Sequence, residues 1–252
     1  MSANLILGSS HVLQFASAVG AHDATWEDAS DLVPIRSAGE ARNFLVYTSI
    51  HPSFLEVTPG EGGAVTATFG PLIEKIRAFN EPQAKVVFGV AGNEHNLLFL
   101  RAQQPLFDFV HPDHPDVEPG RQIVPLAVMR LIISRYLRRG FAITQAIAGQ
   151  LARAQLFYLP PPPPVPSEAQ IRSNPEVFAF DEQPVEAASV RLKIYELYLE
   201  TAQAFCARAG LTFIAPPEEH RDAQGFLKAE FWCSATHAAP AYYSGIVSTL
   251  GL

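Results

Sequence analysis

Only two cysteines, Cys206 and Cys233, occur in 252 residues. That is too few for a disulfide framework, and a reducing, cytoplasmic setting is the simpler expectation. Positive charge is scarce as well. Against 25 Asp and Glu stand 18 Lys and Arg, a formal net charge of −7, which offers no electrostatic footprint for nucleic acid or for an anionic membrane. No apolar run is long enough to span a bilayer. The longest, from Leu126 to Ile147, is interrupted by Arg130, Arg135, Arg138 and Arg139, which read as the solvated face of a helix. Residues 1 to 4, ahead of the first apolar run, are too short to hold a secretory signal. The chain also lacks an internal repeat, a GxSxG elbow, a P-loop and a GxGxxG fingerprint, which argues against repeat folds, the α/β-hydrolase arrangement and the common nucleotide-binding signatures.

Apolar residues, by contrast, are plentiful. At 48% hydrophobic content the chain can bury one sizeable core, so a single domain over residues 1–252 is expected, with a small neutral or polar molecule as its partner. Nothing in the sequence specifies an oligomeric state or calls for a cofactor.

Short apolar runs alternate with longer helical patterns. "LIL" at 5–7 reads as a buried strand running into a helix from Val12, and "AKVVFGVAG" as a fully buried strand of the parallel type. "RNFLVYTSI", "SFLEVT" and "AVTATFG" read as a small antiparallel excursion between proline and glycine turns. A helix is expected from Pro71, and a long one from about Pro125 to Ala154, followed by the strand "AQLFYLP". "PPPPPVP" at 160–166 must be extended, because proline has no N–H to give to a ladder. The clearest helix carries Val190, Ile194, Leu197, Tyr198 and Phe205 on one face, with Gly210 as its stop; "LTFIAPP" is the last strand, and a helix from about Pro240 to Leu250 closes the chain. The pattern predicts an α/β fold: a three-layer α/β/α sandwich around a flavodoxin-like parallel sheet of about five strands, with a small β insertion.

Three segments carry polar residues at strand ends or helix starts: "GSSH" at 8–11, "VAGNEHN" at 90–96 and "WCSATHAAPAYY" at 232–243. In a parallel sheet the carboxyl ends of strands converge, so a serine, an asparagine and a histidine from these segments can share one crevice. A serine ahead of a helix is more often an N-cap, and Ser9 suits that role. Ser10 would gain something a cap does not need, namely helix N–H groups facing an oxyanion. "HPDHPD" at 111–116 reads as an extended, solvated turn rather than a metal site.

The three segments resemble the blocks of the SGNH, or GDSL-like, hydrolase family: Gly-Asp-Ser, Gly-x-Asn and Asp-x-x-His. "GSSH" is similar to the first block with Ser10 as nucleophile, "AGNEHN" to the central block with Asn93 at the oxyanion position and Ala91 where glycine is usual, and "SATH" to the last with His237 as base. The resemblance implies an acyl hydrolase acting on a small or carbohydrate-linked ester, without metal or cofactor. A further family glycine falls on one of Gly60, Gly62, Gly63 or Gly70. The chain departs from the family at two aspartates. Ser9 replaces the first, and Ser234 replaces the one that would orient His237, leaving Ser234 itself, a backbone carbonyl, Glu230 or Asp222 for that role. A neutral partner brings no charge to the imidazolium, so a degenerate module that binds a sugar or acyl group is the alternative. A mononucleotide binder using the "GSSH" turn for phosphate is the third reading.

Overall fold

The computed structural model describes residues 4–8, 10–20, 33–35, 43–47, 55–59, 65–70, 72–90, 99–174 and 184–252. In chain order the elements are β1 (Asn4–Gly8), α1 (Ser10–Val19), β2 (Val33–Ile35), β3 (Asn43–Tyr47), β4 (Leu55–Pro59), β5 (Val65–Phe69), α2 (Leu72–Arg77) and β6 (Lys85–Gly89). They continue with β7 (Phe107–Asp108), β8 (Gln122–Ile123), α3 (Leu126–Ala148), β9 (Gln155–Tyr158), α4 (Glu168–Arg172), α5 (Ala188–Ala209), β10 (Thr212–Phe213) and α6 (Pro240–Leu250).

Among the described residues, six strands form the main sheet in the order β10-β9-β6-β1-β3-β2. All pairings are parallel except that of β2 with β3. The five parallel strands follow the doubly wound order 2-1-3-4-5, with an antiparallel strand added at one edge. Alternation along the strands separates the two faces. Leu5, Leu7, Val86, Phe88 and Tyr158 pack on α2, α3 and α5, whereas Ile6, Val87 and Leu159 pack with α1 and α6 on the other side. The result is an α/β fold whose parallel sheet is flanked by helices on both faces, as the sequence pattern predicts.

Two details differ from that reading, and a third adds to it. "RNFLVYTSI" is not part of the antiparallel excursion: its Asn43–Tyr47 is β3, a parallel neighbour of β1. A continuous apolar run is the pattern of a strand covered on both faces, and only β4 and β5 form the separate hairpin. The long helix ends at Ala148 rather than Ala154, with Gly149 as its C-cap. The polyproline run is extended but not open: Pro160 to Val165 are buried. Its carbonyls accept hydrogen bonds from Tyr195 Oη to Pro161 (3.1 Å), Leu227 N to Pro164 (3.1 Å) and Arg191 Nη1 to Val165 (2.7 Å). Without N–H groups of their own, these prolines need only such donors to be buried at little cost.

The stop at Gly210 follows the expected chemistry, with a left-handed φ of 72° as C-cap of α5. Among the described residues, no helix is long and apolar enough to cross a membrane.

Candidate active site

The order of the sheet reverses between β1 and β6, which lie side by side with Gly8 opposite Gly89 at their carboxyl ends. Open α/β sheets form their binding crevice at such a reversal. The backbones meet closely there. A Cβ at position 8 would lie 2.3 Å from Val12 Cγ1 and 2.7 Å from the Gly89 carbonyl oxygen, so only glycine allows β1 to turn directly into α1 beside β6.

Ser10 is the first residue of α1. The backbone N–H groups of that first turn are left without intrahelical partners and carry the positive end of the helix dipole. The side chain of Ser10 lies outside what the structure describes. So do Ser9, Ala91, Asn93, Glu94, His95 and Asn96, along with Gly60, Gly62 and Gly63. Gly70 is described, directly ahead of α2, where its carbonyl accepts from the Ile73 N–H at 3.2 Å.

His237 reaches the same edge of the sheet from the other end of the chain. α6 packs beside α1 through an edge-on contact between Phe15 and Tyr243, with ring centroids 5.7 Å apart. The far end of α6 marks its direction, because Lys85, at the start of β6, donates to the Leu250 carbonyl. The end of α6 therefore sits at the amino edge of the sheet. Its start, and the segment carrying His237 just before it, sit at the carboxyl edge where α1 begins.

That segment is a closed loop. Trp232 and Ala238 bridge its ends, and the His237 carbonyl accepts both the Cys233 and the Ser234 N–H at 3.1 Å. Ser234 Oγ accepts the Thr236 N–H at 3.3 Å, a serine turn that brings the hydroxyl back over the loop. It thereby meets the ring: Ser234 Oγ lies 2.9 Å from His237 Nδ1 and Thr236 Oγ1 lies 3.1 Å from the same nitrogen. His237 Nε2 is shielded from solvent. Thr236, itself only 6% exposed, is a contact that the sequence reading passes over; a hydroxyl next to the histidine is its one signal. Asp222, considered above as an orienter, accepts the Gln224 and Phe226 N–H groups with Oδ1 in a turn, and Glu230 is exposed.

Aromatic rings support this edge. His220 packs on Phe231 at 4.2 Å, Phe231 on Tyr242 at 6.2 Å, and Tyr242 on Tyr243 at 4.8 Å. Burial raises both phenol pKa values well above their ordinary range, so these tyrosines are neutral packing groups. Among the described residues no group of three or more His, Cys, Asp or Glu is gathered as metal ligands would be. His111 of the "HPDHPD" segment is not solvated, as the sequence suggests, but fully buried, with Nε2 3.2 Å from Glu200.

No protein-family model matches the chain, and no curated protein matches it in sequence. Its fold is similar to the crystal structure of an extracellular lipase from Streptomyces rimosus, at a TM-score of 0.52 and 13% identity over 99% of this chain and 100% of the lipase. A phospholipase A1 from Streptomyces albidoflavus aligns over 99% of this chain and 97% of its own, with a TM-score of 0.44 and 10% identity. At such identity the likeness concerns the fold.

Proposed function

We propose that the chain is a single-domain serine hydrolase of the SGNH type, which cleaves a small or carbohydrate-linked carboxylic ester through an acyl-enzyme. The observation that carries this reading is the His237 ring, held at Nδ1 by two hydroxyls at the carboxyl edge of the sheet. In the tautomer with the proton on Nδ1, that N–H is shared between Ser234 Oγ and Thr236 Oγ1. Nε2 is then the unprotonated, basic nitrogen of the ring.

Ser10 attacks the ester carbonyl as His237 accepts its hydroxyl proton. The oxyanion is held by the Ser10 backbone N–H at the start of α1 and by the Asn93 amide, a contact of the kind worth roughly 3 kcal/mol when removed from a serine protease. His237 passes its proton to the departing alkoxide and then draws one from the water that clears the acyl group.

The two hydroxyls do what a carboxylate does for tautomer and orientation, but bring no charge to the imidazolium. In the serine-protease example, a replacement that left the wrong tautomer cost about 10⁴ in rate. Ser234 and Thr236 can keep the right one, so the expected penalty is smaller. The fold-level likeness to a lipase is consistent with ester chemistry, and two free cysteines suit a reducing, cytoplasmic setting.

The test is Ser10→Ala assayed on a short aryl ester. Turnover should be abolished while the thermal transition stays where it is, since the hydroxyl is required for chemistry alone. Unchanged turnover would remove Ser10 as the nucleophile. The neutral Ser234 favours a second reading, a degenerate module that retains the crevice for a sugar or acyl ligand. Wild-type protein without any esterase activity would select it.

A further inference from the structure

The second halves of α3 and α5 leave an open groove of about 550 Å³ between them, within the range of small-molecule sites. It is not part of the site described above. α3 and α5 cover the opposite face of the sheet from α1 and α6, and each ends shortly before a strand begins. The groove therefore lies toward the amino edge, away from Ser10 and His237.

Its lining is apolar at the floor and positive at the rim. Phe141 and Phe205 stack face to face, with centroids 4.1 Å apart and planes 4° from parallel, and Ala142 extends this surface. Arg138 and Arg208 line the same groove together with Thr201. No acidic residue lines it, and α3 contains none along its length. Arg130, one helical stretch earlier, is engaged with Glu200 at 3.1 Å, whereas no carboxylate among the described residues pairs with Arg138 or Arg208. Two such guanidiniums beside one apolar floor are complementary to a single anionic head with an apolar tail.

We propose that this groove binds an amphipathic carboxylate, with its head between Arg138 and Arg208 and a short apolar tail on Phe141 and Ala142. The inference does not depend on the hydrolase reading, because none of its residues belongs to that site.

Octanoate titrated calorimetrically into the full chain is the test. Saturable binding is expected, weaker by at least about tenfold in the double variant Arg138→Gln/Arg208→Gln, each guanidinium supplying a charge-assisted contact. Ala142→Phe, which fills the apolar part and leaves both charges, should weaken it to a similar degree. Binding should persist in Ser10→Ala, and aryl ester hydrolysis without octanoate should be the same in wild type and the arginine variants. Equal affinity in the double arginine variant would overturn the proposal. So would 1-octanol binding as tightly as octanoate, which would make the head irrelevant, or inorganic phosphate doing so, which would make the tail irrelevant. Lack of saturable octanoate binding, or its loss in Ser10→Ala, would also overturn it.

Discussion

On the face of the sheet covered by α1 and α6, the buried cluster consists of aliphatic and aromatic side chains such as Ile6, Val12, Phe15, Val87, Tyr243 and Ile246. On the face covered by α2, α3 and α5, the core is larger but is bordered by buried charge: Asp108, Glu186, Arg191 and Lys193 are each 4% exposed or less. The two faces differ in what they must hold. The α5 side carries long stretches with little regular structure, whose backbone groups need partners inside the protein. Lys193 Nζ pairs with Asp108 Oδ1 at 2.5 Å and donates to the carbonyls of Phe109 (3.1 Å) and Asp116 (2.9 Å). Arg191 donates to the carbonyls of Glu186 (3.0 Å), Val165 (2.7 Å) and Pro166 (3.3 Å). Burial lowers the Arg191 pKa to about 10, against the opposing pull of Glu186 and Glu168, and the guanidinium stays charged at neutral pH. Charge is thus buried where irregular chain must be pinned, whereas the candidate base His237 is steered by neutral hydroxyls.

The largest effect expected from breaking this contrast is on stability at the α5 face. Lys193→Met keeps most of the volume but leaves the Asp108 carboxylate buried without its cation. Denaturant unfolding should show a loss of about 3–5 kcal/mol, as for other buried pairs broken on one side. Lys193→Met/Asp108→Asn should recover part of it. A loss within 0.5 kcal/mol, the usual range for surface substitutions, would mean that the pair does not hold the loop.

On the other side of the comparison, Gly8→Ala should cost about 1–3 kcal/mol through overpacking. The new methyl would press on the Gly89 backbone and on Val12, a buried β-branched side chain held in the helix. Ester hydrolysis should fall with stability, because β1, β6 and the start of α1 would be forced apart at the crevice. Gly245→Ala in α6, with no neighbour within 4 Å of the new Cβ, is the control and should gain up to about 1 kcal/mol.

The smallest energy, and the sharpest test of steering by hydroxyls, concerns Ser234→Asp. A carboxylate beside His237 Nδ1 favours the protonated ring. The acid limb of kcat/KM against pH should therefore move to higher pH, and the acylation rate at the plateau should rise. A normally folded variant with an unmoved acid limb would mean that His237 is not the base, because orientation by neutral hydroxyls leaves the effect of an added charge intact.

A feature is legible in the sequence where the interaction that decides it is local. Gly210 ends α5 because a left-handed residue is required there, and that requirement is written in one position. Burial of β1 and β6 on both faces follows from their short, continuous apolar runs in the same way. The placement of β3 beside β1 is a long-range choice, and grouping "RNFLVYTSI" with its sequence neighbours gives the wrong sheet. The buried polyproline run depends on donors from Arg191, Tyr195 and Leu227, far away in the chain. Lys193 looks like a solvated helix charge until Asp108 is placed beside it. At the site, Ser234 as the partner of His237 is legible only through the resemblance of "SATH" to the family's last block, with a backbone carbonyl, Glu230 and Asp222 open beside it. Thr236 shares the same nitrogen only because the turn folds its hydroxyl back. Asn93 lies outside the described residues, so its part rests on the resemblance of "AGNEHN" alone.

In the proposed mechanism Ser10, at the start of α1, is a nucleophile activated by a histidine from the other end of the chain. Labelling the intact protein with a fluorophosphonate, then mapping the modified peptide by mass spectrometry, tests it most directly. One label per chain is expected, on Ser10, absent in Ser10→Ala and slowed in His237→Ala. A label on a different residue, or none on active protein, would contradict it.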